Sequence, residues 1–164
     1  MGVTTNPHLT GLPIGESIYV IDCGVGISHT GDTNEATLGT VLISGGVPNV
    51  GDILRVQAIY EIDDGAGSNP AGTMTSRVEF DTVSGSSTST ISRGICIDKP
   101  FVVKNSTTLS SIGPSYYRDE KASVWVDLTV DISAGFTIDF TAQLTNAADT
   151  AYLRSYSVLL IKAS

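Results

Sequence analysis

Charged residues are scarce in this sequence. They make up 16% of the 164 residues, and only nine are Lys or Arg against seventeen Asp or Glu, so the formal net charge is −8. Proteins that bind nucleic acid need clustered Lys and Arg to contact the phosphates. The basic residues of this chain are scattered, and the composition therefore argues against nucleic acid as a partner.

Long hydrophobic runs are also absent. A membrane-spanning helix needs about 18 or more consecutive apolar residues, and no stretch of this sequence is that long. The N-terminus lacks the basic and then apolar regions of a secretory signal. We therefore expect a soluble chain that is not targeted to or through a membrane.

Cysteine is limited to Cys23 and Cys96. Their surroundings, YVIDCGVG and RGICIDK, are typical of buried strands and predict two small hydrophobic core residues. A disulfide between them is the alternative, but it would need an oxidising compartment that no secretory signal indicates.

Catalytic and metal-binding motifs are missing as well. The two histidines, His8 and His29, lie in segments interpreted as arm or loop. No H-x-x-H, C-x-x-C, G-x-S-x-G or phosphate-loop pattern occurs. A Cys96–His29 nucleophile–base pair has no local support. We therefore predict no catalytic residue, no metal and no cofactor.

Two acidic groups could still carry chemistry. The loop 63–69 offers oxygens for calcium but lacks the EF-hand spacing and its closing Glu, which favours an ordinary inter-strand loop. Asp127, Asp131 and Asp139 share the polar side of two strands, where paired carboxylates could cleave glycosidic bonds. Because they lack the apolar surroundings that raise a carboxyl pKa, a solvated face is favoured.

The sequence is rich in strand-forming alternation. Ser, Thr and Gly supply about a third of it, a composition that favours strands and turns over helices. Apolar residues occupy every second position from 124 to 132, and again from 136 to 144 after Ser133-Ala134-Gly135. Successive strand residues point to opposite faces. The two segments therefore predict an antiparallel hairpin with these residues buried: Val124, Val126, Leu128, Val130, Ile138 and Phe140.

Similar segments recur along the chain and predict the fold class. In the segment 53–63, one face carries Leu54, Val56, Ala58, Tyr60 and Ile62. The chain contains about eight to ten such segments, separated by turn residues, which predicts an all-β sandwich or barrel. The strand number and the absence of a Cys…Trp…Cys spacing favour an antiparallel jelly-roll β-sandwich, which we assign to residues 31–164.

The first 30 residues lack periodicity and predict an extended N-terminal arm. Its apolar residues Leu9, Leu12, Ile14, Ile18 and Val20 would be wasted in solvent, so we expect them to anchor the arm in a groove or at an exposed strand edge of a neighbouring subunit. The alternative is that the segment 18–21 pairs within its own domain as a first strand.

Aromatic residues form a second group of interface candidates. Trp125 lies on the polar side of its strand, where a large exposed ring is a liability, and Tyr116 and Tyr117 precede it. Such residues anchor protein interfaces or stack on sugar rings. The alternative for Trp125 is cover by a loop or by a neighbouring subunit.

Three stretches resemble the jelly-roll domains of tailed-bacteriophage virion proteins. They are TLGTVLISGGVPNVGDILRVQAIY, the pair VWVDLTVDIS and GFTIDFTAQL, and the closing YLRSYSVLLIKAS. The resemblance is one of pattern and spacing, and it covers residues 31–164. It implies a homotrimer without a catalytic residue, which serves as a capsid decoration (cement) protein or as the head domain of a tail fibre.

We therefore expect a non-enzymatic virion protein that stabilises the major capsid protein lattice as a homotrimer on the capsid surface. Its N-terminal arm would bind a neighbouring subunit or this lattice. The alternative is a receptor- or carbohydrate-binding tail-fibre head, with tail or baseplate proteins as partners. A glycan hydrolase is a third possibility.

Overall fold

The structure of the chain, a computed structural model, describes residues 18–63, 72–81, 83–84, 89–91, 94–111 and 127–163. Every regular element in these ranges is a strand, which confirms the all-β prediction, and no helix that could span a membrane occurs there. The strands are β1 (Ile18–Gly24), β2 (Ser28–Thr30), β3 (Glu35–Ser44), β4 (Ile53–Asp63), β5 (Met74–Phe80), β6 (Val83–Ser84), β7 (Ser89–Ile91), β8 (Gly94–Asn105), β9 (Thr108–Ser111), β10 (Asp127–Thr129), β11 (Gly135–Leu144) and β12 (Thr150–Ile161).

These strands form two antiparallel sheets that pack as a sandwich. Sheet A has the order β1-β12-β4-β8-β9-β10, with β2 also beside β12. Sheet B has the order β3-β11-β5-β6, with β7 also beside β5. Among the long strands, the first pairs with the last and the second with the second-to-last, which is the pairing of a jelly roll. The predicted fold is therefore confirmed.

The core lies between the sheets and follows the predicted alternation. All five apolar residues that the sequence assigns to one face of β4 are buried. Leu128, Val130, Ile138 and Phe140 are buried as predicted, whereas positions 124 and 126 lie outside the described residues. Aromatic rings join the two layers, because Phe80 of sheet B contacts Phe101 of sheet A with 4.8 Å between the ring centroids.

The predicted hairpin between β10 and β11 is wrong. β10 pairs with β9 in sheet A, whereas β11 lies between β3 and β5 in sheet B. The connection therefore crosses from one sheet to the other. A strand buries every second residue whether it continues into a hairpin or crosses to the other sheet. The alternation of apolar residues therefore does not distinguish a hairpin from a crossing.

The crossing is made by a short corner with its own hydrogen bonds. Asp131 Oδ1 accepts bonds from the Ser133 and Ala134 backbone N–H groups at 3.0 and 3.2 Å. Gly135 then adopts φ 90°, a conformation that favours glycine. A Cβ on Gly135 would lie 2.7 Å from the Ile43 carbonyl oxygen, so the close approach of β3 also requires glycine here.

Part of the predicted 30-residue N-terminal arm belongs to sheet A. β1 pairs with β12 from Ile18 onward, and β2 pairs with residues 150–152 of the same strand. Residues 18–24 and 28–30 are therefore strands of sheet A. This agrees with the alternative interpretation of 18–21 as a first strand, since Tyr19 and Ile21 pack against the core. Residues 1–17 lie outside the described residues, and an arm there stays a prediction.

Candidate protein interface

The outer face of sheet B is polar and acidic. Thr40, Asp139 and Glu79 lie directly opposite one another on β3, β11 and β5, and the Thr40 hydroxyl donates a hydrogen bond to Asp139. Glu35 accepts a hydrogen bond from the Thr141 hydroxyl on the same face. Burial, with the negative charges of Glu35 and Asp139, raises the pKa of Glu79. This face brings three carboxylates together, one of them paired with Arg77, and favours contact with water.

The outer face of sheet A is apolar at one end. Residues directly opposite one another on neighbouring strands share a face. Ile18 of β1 lies opposite Ile161 of β12, which lies opposite Ile53 of β4, and Val102 of β8 follows. All four point away from the core, because Leu54 and the other inward residues of these strands alternate with them. The result is an unbroken apolar row across four strands.

A second row beside it extends this surface. Val20, Leu159, Arg55 and Pro100 lie opposite one another across the same strands. Ile18 and Val20 are 47% and 45% exposed. We call the uncharged members of the two rows the apolar end of sheet A: Ile18, Val20, Ile53, Pro100, Val102, Leu159 and Ile161.

Hydrogen-bonded polar residues border the apolar end. Arg55 donates through Nε to Asp98 Oδ1 at 2.8 Å and through Nη2 to Oδ2 at 2.5 Å, and Gln57 Nε2 donates to Oδ2 at 3.1 Å. The Arg55 hydrogen bonds are the main cause that lowers the pKa of Asp98. Ser157 donates to Gln57 Oε1 at 3.0 Å. The border therefore presents a paired charge, as the polar rim of a protein interface does.

Both cysteines lie on this same outer face, which makes the prediction of core cysteines wrong. Cys23 lies opposite Ser157, and Cys96 lies opposite Ile59. Both thiols are free and exposed, because their positions in the strands turn them away from the core. Burial, together with the charge of Asp98, nevertheless raises the pKa of the Cys96 thiol. The thiol form, a weak nucleophile, is thereby favoured.

The possible catalytic and metal groups do not come together. His29 is on β2 and Cys96 on β8, with β12 and β4 between them, so about 14 Å of sheet separates the two strands. Asp127 and Asp139 lie on the outer faces of opposite sheets, and the prediction that they share one polar face is therefore wrong. Within the described ranges, no three His, Cys, Asp or Glu side chains form a possible metal site. The loop considered for calcium lies outside these ranges beyond Asp63.

Of the interface residues chosen from the sequence, Ile18 and Val20 belong to the apolar end, and the other six cannot be placed. Leu9, Leu12, Ile14, Tyr116, Tyr117 and Trp125 all lie outside the described residues. The sequence does contain a signal for the apolar end. The runs IYVI (18–21) and VLLI (158–161) place apolar residues on both faces of a strand, a pattern typical of strands covered on both sides.

Two solved structures are distantly similar in fold to this chain. A crystal structure of FlhE has a TM-score of 0.41 and 15% identity, covering 92% of this chain and 99% of that one. A peanut lectin in complex with a nine-residue peptide (PVIWSSATG) has a TM-score of 0.41 and 9% identity, covering 91% and 93%. No family model and no curated protein matches the sequence. Neither structure is a virion protein, and at these TM-scores neither indicates a function for this chain.

Proposed function

We propose that this chain is a non-enzymatic virion structural protein, a capsid decoration (cement) protein that stabilises the head lattice as a homotrimer. The observation that supports self-association is the apolar end of sheet A. A sandwich needs one apolar face on each sheet, toward the core. A second apolar surface on the outside is typical of a protein interface. The virion setting and the number of three copies come from the resemblance of the sequence.

Charge favours a second copy of the chain as the occupant of this surface. Each copy has a formal net charge of −8, so copies repel one another unless they meet on a surface that is free of unpaired charge. On the outer face of sheet B, Glu35 is paired with Arg77, but Glu79 and Asp139 of different copies would come together. The apolar end of sheet A has no charged residue, and the neighbouring Arg55 is paired with Asp98. Copies can therefore meet there without this repulsion.

Light scattering on an interface variant tests this proposal. The unmodified protein at micromolar concentration is expected to have three times the 17.1 kDa mass of one chain. The double variant Ile18→Asp/Val20→Asp should be monomeric and folded, because it places two carboxylates in the contact without touching the core. Leu42→Asp is the matched control, since Leu42 is 69% exposed on the outer face of sheet B, and it should leave the trimer intact.

Two results would contradict the proposal. One is a monomeric mass for the unmodified protein, and the other is a trimer that survives in the double variant. Quantification of the protein in purified particles then separates the two virion roles. Hundreds of copies over the head would agree with decoration, whereas a few copies at the tail would favour the fibre-head alternative.

A further inference from the structure

We propose that residues 1–17 of one copy pack on the apolar end of sheet A of a neighbouring copy. This inference rests on the proposed self-association and names the segment that makes the contact. The segment joins β1 at Ile18, which is itself a member of the apolar end. The apolar surface and the chain that could cover it therefore meet at one residue.

The segment is long enough for this contact. A fully extended chain spans about 3.3 Å per residue, so 17 residues reach up to roughly 56 Å. The apolar end crosses the four strands β1, β12, β4 and β8, which is a width of about 14 Å at ordinary strand spacing. Five or so extended residues would cross it, and the remainder can bridge the distance between two protomers.

The composition of the segment matches the surface. Glu16 is its one carboxylate, and it contains no Lys or Arg. Leu9, Leu12 and Ile14 supply apolar side chains at short intervals, of the kind that an extended peptide places in contact with a sheet. A segment with one charged side chain loses little hydration energy on an uncharged, apolar surface, and burial of its aliphatic side chains stabilises the contact.

The direction of β1 favours a neighbouring copy over the same protomer. Ile18 lies opposite Ile161, the last residue of β12, so its row is at one end of the sheet. A chain continued backward from Ile18 along β1 leaves this end of the sheet. To cover its own protomer, the segment would have to reverse direction just before Ile18. It can reach a neighbour without such a reversal.

Disulfide trapping between two co-expressed variants tests the proposal. Each chain carries Cys23→Ser and Cys96→Ser, which remove the native thiols. One chain then carries Leu9→Cys, Leu12→Cys or Ile14→Cys, and the other carries Leu159→Cys. On oxidation with copper phenanthroline, two thiols lose two electrons and two protons to form the disulfide. At least one of the three is expected to give a disulfide between the two different chains, identified by mass spectrometry of the linked peptides.

The control partner is Leu42→Cys on the outer face of sheet B, which should give no such product. The inference is wrong if no segment cysteine links to Leu159→Cys, or if Leu42→Cys links equally well. It is also wrong if a single chain with Leu12→Cys and Leu159→Cys closes the bond within itself. Light scattering on the same preparations shows which proposal has failed. A trimer without a cross-link overturns only the contact made by residues 1–17, whereas a monomer also overturns the proposed self-association.

Discussion

Replacement of Phe80 by alanine is expected to lower the free energy of unfolding by about 3–5 kcal/mol, the usual cost of truncating a buried phenylalanine. Phe80 is fully buried. Its ring contacts Phe101 of the opposite sheet edge-on and Phe136 of its own sheet at 6.1 Å between centroids. The substitution therefore leaves a cavity between the layers and removes contacts that hold the two sheets together.

Urea unfolding of the Phe80→Ala protein, followed by circular dichroism, measures this loss. Leu42→Ala is the control, because Leu42 is exposed on the same sheet and its truncation should change stability by about 0.5 kcal/mol or less. Equal unfolding midpoints for the two variants would contradict the assignment of Phe80 to the centre of the core.

Replacement of Asp52 by alanine is expected to be nearly as damaging, with a loss of about 3 kcal/mol at neutral pH. The Asp52 side chain is 3% exposed and accepts a hydrogen bond from Lys162 Nζ at 2.8 Å. It also accepts from the backbone N–H groups of Asn49 and Ala163 at 2.8 and 3.0 Å. Alanine leaves the Asn49 and Ala163 N–H groups without this partner. It also removes one of the two hydrogen bonds by which Lys162 holds the end of β12 to the loop between β3 and β4, the other being to the Val47 carbonyl oxygen at 2.8 Å.

The effect of Asp52 should depend on pH in a defined direction. Burial alone would raise the pKa of Asp52, but the hydrogen bonds from Asn49, Lys162 and Ala163 outweigh it and hold the pKa below the ordinary 3.8. A carboxyl group with a lowered pKa in the folded state stabilises the fold above its unfolded pKa, and this contribution is lost as the pH falls through the folded value. The stability difference between the unmodified protein and Asp52→Ala should therefore be constant near neutral pH.

Thermal unfolding across the acid range checks this expectation. The difference should shrink only when the pH falls below about 3.8, the unfolded reference value for an aspartate. Asp63→Ala, which removes an exposed carboxylate at the end of β4, is the control and should shift the transition little at any pH. A difference that stays constant throughout the acid range would show that the ionised Asp52 carboxylate does not stabilise the fold.

The strand pattern was enough to predict the fold class but not every strand partner. The alternation in β4 places Leu54, Val56 and Tyr60 in the core, where the structure confirms them. The same kind of alternation in β10 and β11 suggested a hairpin that does not exist. What separates the two outcomes is the corner, where Asp131 accepts backbone hydrogen bonds and Gly135 adopts positive φ. Residue spacing does not encode that geometry.

The candidate interface was less predictable for a different reason. A large aromatic residue on the polar side of a strand, such as Trp125, is recognisable in a sequence as an interface candidate. Ile53 is not recognisable in this way, because isolated apolar residues on an outer face are common. The run VLLI (158–161) indicates that Leu159 and Ile161 are covered, but not by what. Only the pairing of β1, β12, β4 and β8 shows that they form one surface. Strand order is a long-range property, and local pattern does not determine it.

Hydroxyl-radical footprinting tests most directly whether the apolar end of sheet A is covered in the assembled protein. Ile18 and Val20 are 47% and 45% exposed in one protomer, and Leu42 on sheet B is 69% exposed. At micromolar concentration we expect Ile18 and Val20 to be oxidised far less, relative to Leu42, than these exposed fractions predict. On dilution, their oxidation relative to Leu42 should rise toward the predicted value. Oxidation in proportion to these exposed fractions at every concentration would contradict the interface.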